Sequence, residues 1–200
     1  RRILELSGWT VSLGRPGPDD WVGVWGKSPT SGRGERVARR AGAPVLRVED
    51  SFLRSVHPGR DKEPPVGLNL DTRGVYFDSS APSDLEVLLA THPLDETPLL
   101  QRARDCIDRI RRAHLSKFNA FDPADAVPDA PYVLVIDQTR GDASIAHGQA
   151  SAATFQEMLV CAQTENPGSR IIIKAHPDTL CGHGAGHCSA QDASERVTLL

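Results

Sequence analysis

Apolar residues fall in short runs separated by turn-forming stretches, and these runs alternate with segments of helical period. Val22-Gly23-Val24-Trp25 is a compact apolar run followed by the turn-rich Gly26-Lys27-Ser28-Pro29-Thr30-Ser31-Gly32, and it reads as a buried strand. Helical patterning from Gly34 to Arg40 stops at Ala41-Gly42. Pro44-Val45-Leu46-Arg47-Val48 then resumes as a second strand, which completes a βαβ unit. From Gly67 to Ser80, apolar and polar residues alternate around Asp71-Thr72-Arg73-Gly74, predicting a hairpin or paired short strands. Leu99, Ala103, Cys106, Ile107, Ile110 and Ala113 recur at helical spacing, so 98–118 reads as a long amphipathic helix with Thr97 as N-cap and Pro98 at N1.

Three prolines and no apolar period mark 122–131 as a linker. Beyond it, Tyr132-Val133-Leu134-Val135-Ile136 is a continuous β-rich run, expected to be covered on both faces. A polar loop occupies 137–149. The segment 152–165 is helical by pattern, with Phe155, Met158, Leu159 and Ala162 on one face, and Asn166-Pro167-Gly168 ends it. Arg170-Ile171-Ile172-Ile173-Lys174 is another buried strand, and 197–200 begins a third. The fold class is therefore α/β, with one lobe over 1–121 and the start of a second over 132–200.

Composition changes this picture little, since 39% hydrophobic and 24% charged residues describe an ordinary globular chain. A net charge of −3, with basic residues scattered among acidic ones, excludes the electrostatic footprint of a nucleic-acid binder. No apolar run approaches the roughly 18 residues of a membrane span, and no signal-peptide pattern is visible. The four cysteines are accordingly expected to be reduced thiols in a cytoplasmic protein.

Candidate chemistry gathers where the strands surface, at their carboxyl ends, which is where open α/β sheets bind ligands. Strand 44–48 runs into Glu49-Asp50, strand 132–136 into the loop Asp137-Gln138-Thr139-Arg140-Gly141-Asp142-Ala143-Ser144, and strand 170–174 into Lys174-Ala175-His176-Pro177. Pro177 restricts the residue before it, so His176 is held in a narrow orientation, and Lys174 shares its side of the extended chain. Together they suit an anion, although a His-Pro turn also serves as a plain surface turn. Glu49 and Asp50 point to opposite faces, so one is expected in a cleft and the other in a structural role, with Arg54 pairing the inward one and Phe52-Leu53 anchoring the segment in the core. Asp50 or Ser51 is alternatively a helix N-cap. Arg140 is expected close enough to Asp142 to keep that carboxylate ionised. An adhesion role for Arg140-Gly141-Asp142 is discarded because the triplet follows a buried strand. Cys181, His183, His187 and Cys188 have zinc-ligand chemistry, but adjacent His187 and Cys188 diverge and the usual ligand spacing is missing, so no metal is expected and the segment reads as a flexible Gly-rich loop.

The segments Val24-Trp25-Gly26-Lys27-Ser28-Pro29, Arg47-Val48-Glu49-Asp50-Ser51-Phe52-Leu53-Arg54-Ser55, Asp137 through Ile145, and Lys174-Ala175-His176-Pro177 resemble, in order, those of the bacterial capsular polysaccharide β-Kdo transferases of KpsC type. This resemblance implies two Rossmann-like lobes of GT-B type, both incomplete in this chain, so that the chain alone is expected to be inactive. It implies retaining transfer of β-Kdo from CMP-Kdo to a lipid-linked Kdo acceptor in capsule biosynthesis, with no cofactor. It also implies a cytoplasmic setting, with peripheral contact at the inner membrane or with capsule assembly proteins. By resemblance, His176 contacts the CMP phosphate, with Lys174, Gln138, Arg140 and Ser144 assigned to the donor nucleotide and its phosphate. Asp142 is the carboxylate placed for attack on the anomeric carbon, and Glu49 or Asp50 serves the reacting hydroxyl. A non-catalytic nucleotide-binding module, or a transferase of another CMP-sugar such as sialic acid, remains the alternative.

Overall fold

The computed structural model describes residues 1–122 and 124–200; Pro123, within the expected linker, lies outside the described residues. The chain divides into two compact units, Arg1–Ala120 and Phe121–Leu200. Each unit holds a three-stranded sheet, one mixed and one wholly parallel, and the architecture is α/β.

In the first unit, a short helix α1 (Arg2–Leu6) precedes β1 (Val22–Trp25), α2 (Ser31–Ala41) and β2 (Val45–Asp50). β1 and β2 pair in parallel with Val22 opposite Val45, as the βαβ pattern requires. Small residues bring α2 against the sheet: a Cβ on Gly34 would meet Val24 Cγ1 at 2.5 Å, and Ala38, one turn later, is buried. The helix begins a turn earlier than its apolar pattern and stops at Gly42, whose φ of +68° supplies the left-handed cap.

No hairpin forms over 67–80. Only Leu68–Asp71 is a strand, β3, and it pairs antiparallel with β2 instead of with its own continuation. The buried Asp71 carboxylate explains the break. Its Oδ1 accepts from the amides of Arg73 (2.9 Å) and Gly74 (2.7 Å), and its Oδ2 accepts from the amide of Asp84 (3.0 Å). A side chain that takes up the following amides leaves none for a return strand. α3 (Asp84–Thr91) follows, opened by a capping box between Ser83 and Glu86, a Ser-x-x-Glu signature present in the sequence. α4 (Thr97–Arg112) starts with Thr97 inside the helix and Glu96 as N-cap, and it ends before 118. Its extension is diverted because the carbonyl of Lys117 accepts the amides of Arg54 and Ser55, and Phe118 bridges to Ser55.

The second unit runs β4 (Tyr132–Ile136), α5 (Ala143–His147), α6 (Ala152–Glu165), β5 (Arg170–Lys174), α7 (Pro177–Leu180) and β6 (Val197–Leu199). Its strands are parallel in the order β4-β5-β6. Val135, Ile171, Ile173 and Val197 point to one face and bury Leu159, Met158 and Ala162 of α6. Ile171 and Ile173 are wholly buried, so each truncation to Ala is expected to cost about 2–5 kcal/mol. β4 departs from the expectation of two covered faces: Leu134 and Ile136 are 52% and 56% exposed, because α6 covers only one side of the sheet. Among the described residues no helix is long and apolar enough to cross a membrane.

One ion pair in the first unit is nearly dry. Lys27 Nζ lies 2.5 Å from Asp78 Oδ2, and the hydrogen bond from Lys27 holds the Asp78 carboxyl well below the usual carboxylate range despite the opposing effect of burial. A depressed carboxyl stabilises the fold above its unfolded pKa of about 3.9, and that stability drains away as pH falls toward the folded value. Asp78→Asn is therefore expected to lower unfolding free energy by about 2–4 kcal/mol at pH 7. In denaturant titrations the gap to wild type should hold from pH 7 to pH 4 and narrow below it. Equal stability at pH 7 would show that the pair contributes nothing.

Candidate functional site

β2 outruns its parallel partner. The register ends with Trp25 opposite Val48, so Glu49 and Asp50 project past β1 while remaining strand residues, opposite Asn69 and Leu68 of β3. Alternation sends their side chains to opposite faces. Asp50 Oδ1 accepts from Arg54 Nε at 3.1 Å, and the buried Arg54 guanidinium also donates to Ser55 Oγ (2.8 Å) and the Glu63 carbonyl (2.6 Å). Asp50 is thus the carboxylate that Arg54 pairs. No helix starts at Asp50 or Ser51; Ser51 Oγ donates to the Leu53 carbonyl instead. Nor does Phe52 anchor the segment, being 72% exposed, because the bonds to Lys117 lay the 54–55 backbone along 117–118 and leave Phe52 outside.

The Glu49 carboxylate lies against Gly26, where an added Cβ would sit 2.6 Å from Oε2 and where φ is +39°. Only glycine meets both conditions. Arg47, on the same strand face as Glu49, fixes this corner by donating to the Gly26 carbonyl (2.8 Å) and to Glu35 of α2 (2.8 Å). Elsewhere in the first unit a cavity of about 960 Å³ opens between Trp9, Trp21, Leu46, Val48 and Leu68, and neither Glu49 nor Asp50 lines it.

In the second unit the loops after β4 and β5 meet through side chains. Thr139 Oγ1 lies 3.2 Å from His176 Nδ1 and 3.3 Å from Thr179 Oγ1. His176 caps α7, its Nδ1 accepting the Asp178 amide at 3.1 Å, and Pro177 occupies the first turn. Lys174 closes β5 as an exposed residue, and the ladder continues through the Ala175 amide to the Leu200 carbonyl, which keeps the chain extended toward His176. Gln138 folds back, its Oε1 accepting the Thr139 amide at 2.8 Å, and Arg140 is exposed.

Asp142 is the N-cap of α5. Its Oδ1 accepts both the Ser144 amide (2.8 Å) and the Ser144 hydroxyl (2.6 Å), while the Asp142 amide donates to the Thr139 carbonyl (3.2 Å). Among the described residues no ion pair joins Arg140 to Asp142; the Ser144 contacts hold the carboxylate in place of the expected guanidinium. Thr139 and Asp137, absent from the candidates read in the sequence, organise this loop. Asp137 is 2% exposed and accepts the amides of His187 and Cys188, each at 3.1 Å. A Cβ on Gly186 would collide with the same carboxylate, so glycine is required there too.

The Gly-rich segment is consequently pinned, not loose. The Arg140 amide donates to the Ala185 carbonyl at 2.8 Å, and Thr139 bridges to Gly186. His187 is buried and stacks on Phe155 of α6 at 4.1 Å between ring centres. Cys188 joins the core, and burial, followed by the charges of Asp137 and Asp192, pushes its thiol up to about 11. A thiol so raised is a core side chain and a poor metal ligand.

The chain is similar to known proteins over most of its length. A family model described as "Capsule polysaccharide biosynthesis protein" matches residues 20–127 and 99–199. Capsule polysaccharide modification protein LipA of Neisseria meningitidis serogroup A is 38% identical over 182 residues, covering 88% of this chain and 26% of LipA. Lipopolysaccharide-processing protein LpsZ of Rhizobium meliloti is 38% identical over 171 residues, covering 83% of this chain and 39% of LpsZ. The chain thus spans well under half of these relatives. Among solved structures, the Thermosulfurimonas dismutans KpsC β-Kdo 2,4-transferase superposes with a TM-score of 0.80 at 35% identity, over 89% of this chain and 56% of that one. The β-Kdo 2,7-transferase of the same KpsC gives 0.57 at 31%, over 80% and 48%.

The Asp50–Arg54 pair makes the first unit's carboxylates separable by mutation. Arg54→Met keeps the bulk of the stem but strands Asp50 and the Glu63 carbonyl, so it is expected to cost about 3–5 kcal/mol in denaturant unfolding. Glu49→Gln keeps the shape of a half-buried side chain and leaves the Arg54–Asp50 pair intact, so it is expected to cost less than Arg54→Met. A reversal of that order would reassign which carboxylate holds the fold.

Proposed function

The chain belongs to the capsule polysaccharide biosynthesis protein family, and from that membership we propose that it is part of a retaining β-Kdo glycosyltransferase. In this reading the donor is CMP-Kdo, the acceptor is a lipid-linked Kdo, and the second unit is the donor side of a GT-B pair acting at the cytoplasmic face of the inner membrane. The observation that carries the reading is the junction of the Asp142 loop with the His-Pro turn through Thr139, in a chain 35% identical to a β-Kdo transferase.

The residues have chemistry suited to these roles. His176 Nδ1 accepts from the Asp178 amide, so the neutral ring carries its proton on Nε2 and can donate to a phosphate oxygen. Lys174 adds a point charge for the same anion, and Gln138, Arg140 and Ser144 border the nucleotide. Retention at the sugar centre is reached by two inversions. An oxygen of the Asp142 carboxylate attacks the anomeric carbon, the bond to the CMP phosphate breaks, and CMP leaves with the electron pair. Asp142 Oδ1 is engaged by Ser144, which leaves Oδ2 for that attack. The acceptor hydroxyl then displaces Asp142 and yields its proton to Glu49. Asp50 is assigned the structural role because Arg54 already holds it.

Three variants, each made in the full-length protein, test this reading. His176→Ala is expected to weaken CMP binding by about 1.5–3 kcal/mol in calorimetry of a folded protein. Asp142→Asn should bind CMP with unchanged affinity yet give no transfer. Glu49→Gln incubated with CMP-Kdo should gain the mass of one Kdo, mapping to the peptide containing 137–144. Full transfer by Asp142→Asn, or an adduct elsewhere, would remove Asp142 as nucleophile, and UDP or GDP protecting the protein as well as CMP would change the donor.

A further inference from the structure

We propose that Thr139 is a positioning residue, whose hydroxyl helps hold His176 Nδ1 as an acceptor so that the ring presents its N–H at Nε2 to the donor's phosphate. The proposal deepens the reading above and rests on His176 being the phosphate contact. Its basis is a buried hydroxyl in an unusual place. Thr139 is 2% exposed, in the loop after β4 between the half-buried Gln138 and the exposed Arg140. Its Oγ1 stands between His176 Nδ1 at 3.2 Å and Thr179 Oγ1 at 3.3 Å.

Donor counting sets the direction of this relay. The Asp178 amide can only donate, and it points at Nδ1 from 3.1 Å, so a proton on Nδ1 would face another proton. With Nδ1 unprotonated, the Thr139 hydroxyl donates to it, and the Thr139 oxygen is left to accept from Thr179. Both hydroxyls are then satisfied, and the imidazole proton resides on Nε2. The reverse direction would need Nδ1–H pointing toward Thr139 and against the Asp178 amide at once.

Thr139 cannot move aside to release the ring. Its amide donates to Gln138, its carbonyl accepts the Asp142 amide at 3.2 Å, and its backbone bridges to Gly186. The same residue thereby touches His176 by its side chain and the proposed nucleophile by its main chain.

The test separates hydroxyl from bulk. Thr139→Val keeps the shape and removes the hydroxyl, whereas Thr139→Ser keeps the hydroxyl. In unliganded protein labelled with ¹⁵N at histidine, with His176 assigned by its loss in His176→Gln, the wild type and Thr139→Ser should show a single Nε2-protonated tautomer. Thr139→Val should leave the proton on Nε2, which the Asp178 amide enforces, but move the Nδ1 resonance away from its wild-type position because one of its two donors is lost, and should weaken CMP binding about fivefold, against less than about twofold for Ser. If Thr139→Val fails to fold, Thr179→Val carries the same expectation at smaller amplitude, since it cuts the other end of the relay. A wild-type ¹⁵N spectrum in Thr139→Val, or equal weakening by Val and Ser, would overturn the proposal. Absence of CMP binding by the wild type would instead defeat the donor reading, and the spectra would still decide the role of Thr139.

Discussion

The Asp137 carboxylate is buried at the end of β4 with two main-chain amides as its partners, and the loops of the second unit are organised around it. A carboxylate withdrawn from water must be fully hydrogen-bonded, and the amides of His187 and Cys188 meet that demand. The Asp137 amide meanwhile donates to the Lys174 carbonyl, so one residue binds the β5 terminus by its backbone and the Gly-rich segment by its side chain. Everything chemically suggestive in this unit, from Thr139 to Ser144 and from Lys174 to His176, hangs from those attachments.

The first unit uses a similar device with different atoms. Asp71 collects three amides and thereby ends a strand, starts a turn and meets the N-terminus of α3. Arg54 works in the opposite sense, as a buried donor that gathers Asp50, Ser55 and Glu63. In both units buried ionic groups convert irregular backbone into a defined surface, which is how loops acquire the precision of the sheets that carry them.

Strand positions were legible in the sequence because apolar runs such as 132–136 and 170–174 leave few alternatives, and α2 and α6 followed from their period and stop signals. The errors share one cause. At 67–80 the expectation of a hairpin or paired short strands holds only for the one strand that pairs with β2, and the return strand, the extension of α4 to 118 and the anchoring role of Phe52 are each overridden by a side chain or carbonyl reaching across the sequence: Asp71 to Asp84, Lys117 to Arg54 and Ser55. Among the candidate residues, adjacency on one sheet was foreseeable for His176 and the 137–144 loop, since parallel neighbours surface together. That Thr139 would be the contact was not foreseeable, because a threonine between Gln138 and Arg140 carries no sign of burial. The Arg140–Asp142 pairing failed for a related reason: Ser144, two residues beyond, offers Asp142 two donors at no cost in side-chain order.

Cys188 has a use beyond its place in the core. Its thiol is shielded and stays protonated at neutral pH, while Cys106, Cys161 and Cys181 are exposed. A thiol-reactive probe would therefore modify three sites at once and the fourth only when the packing around Val135, Leu159 and Ile173 opens. The rate of that last modification is a clock for the breathing of the second unit's sheet, read in a protein that needs no added label.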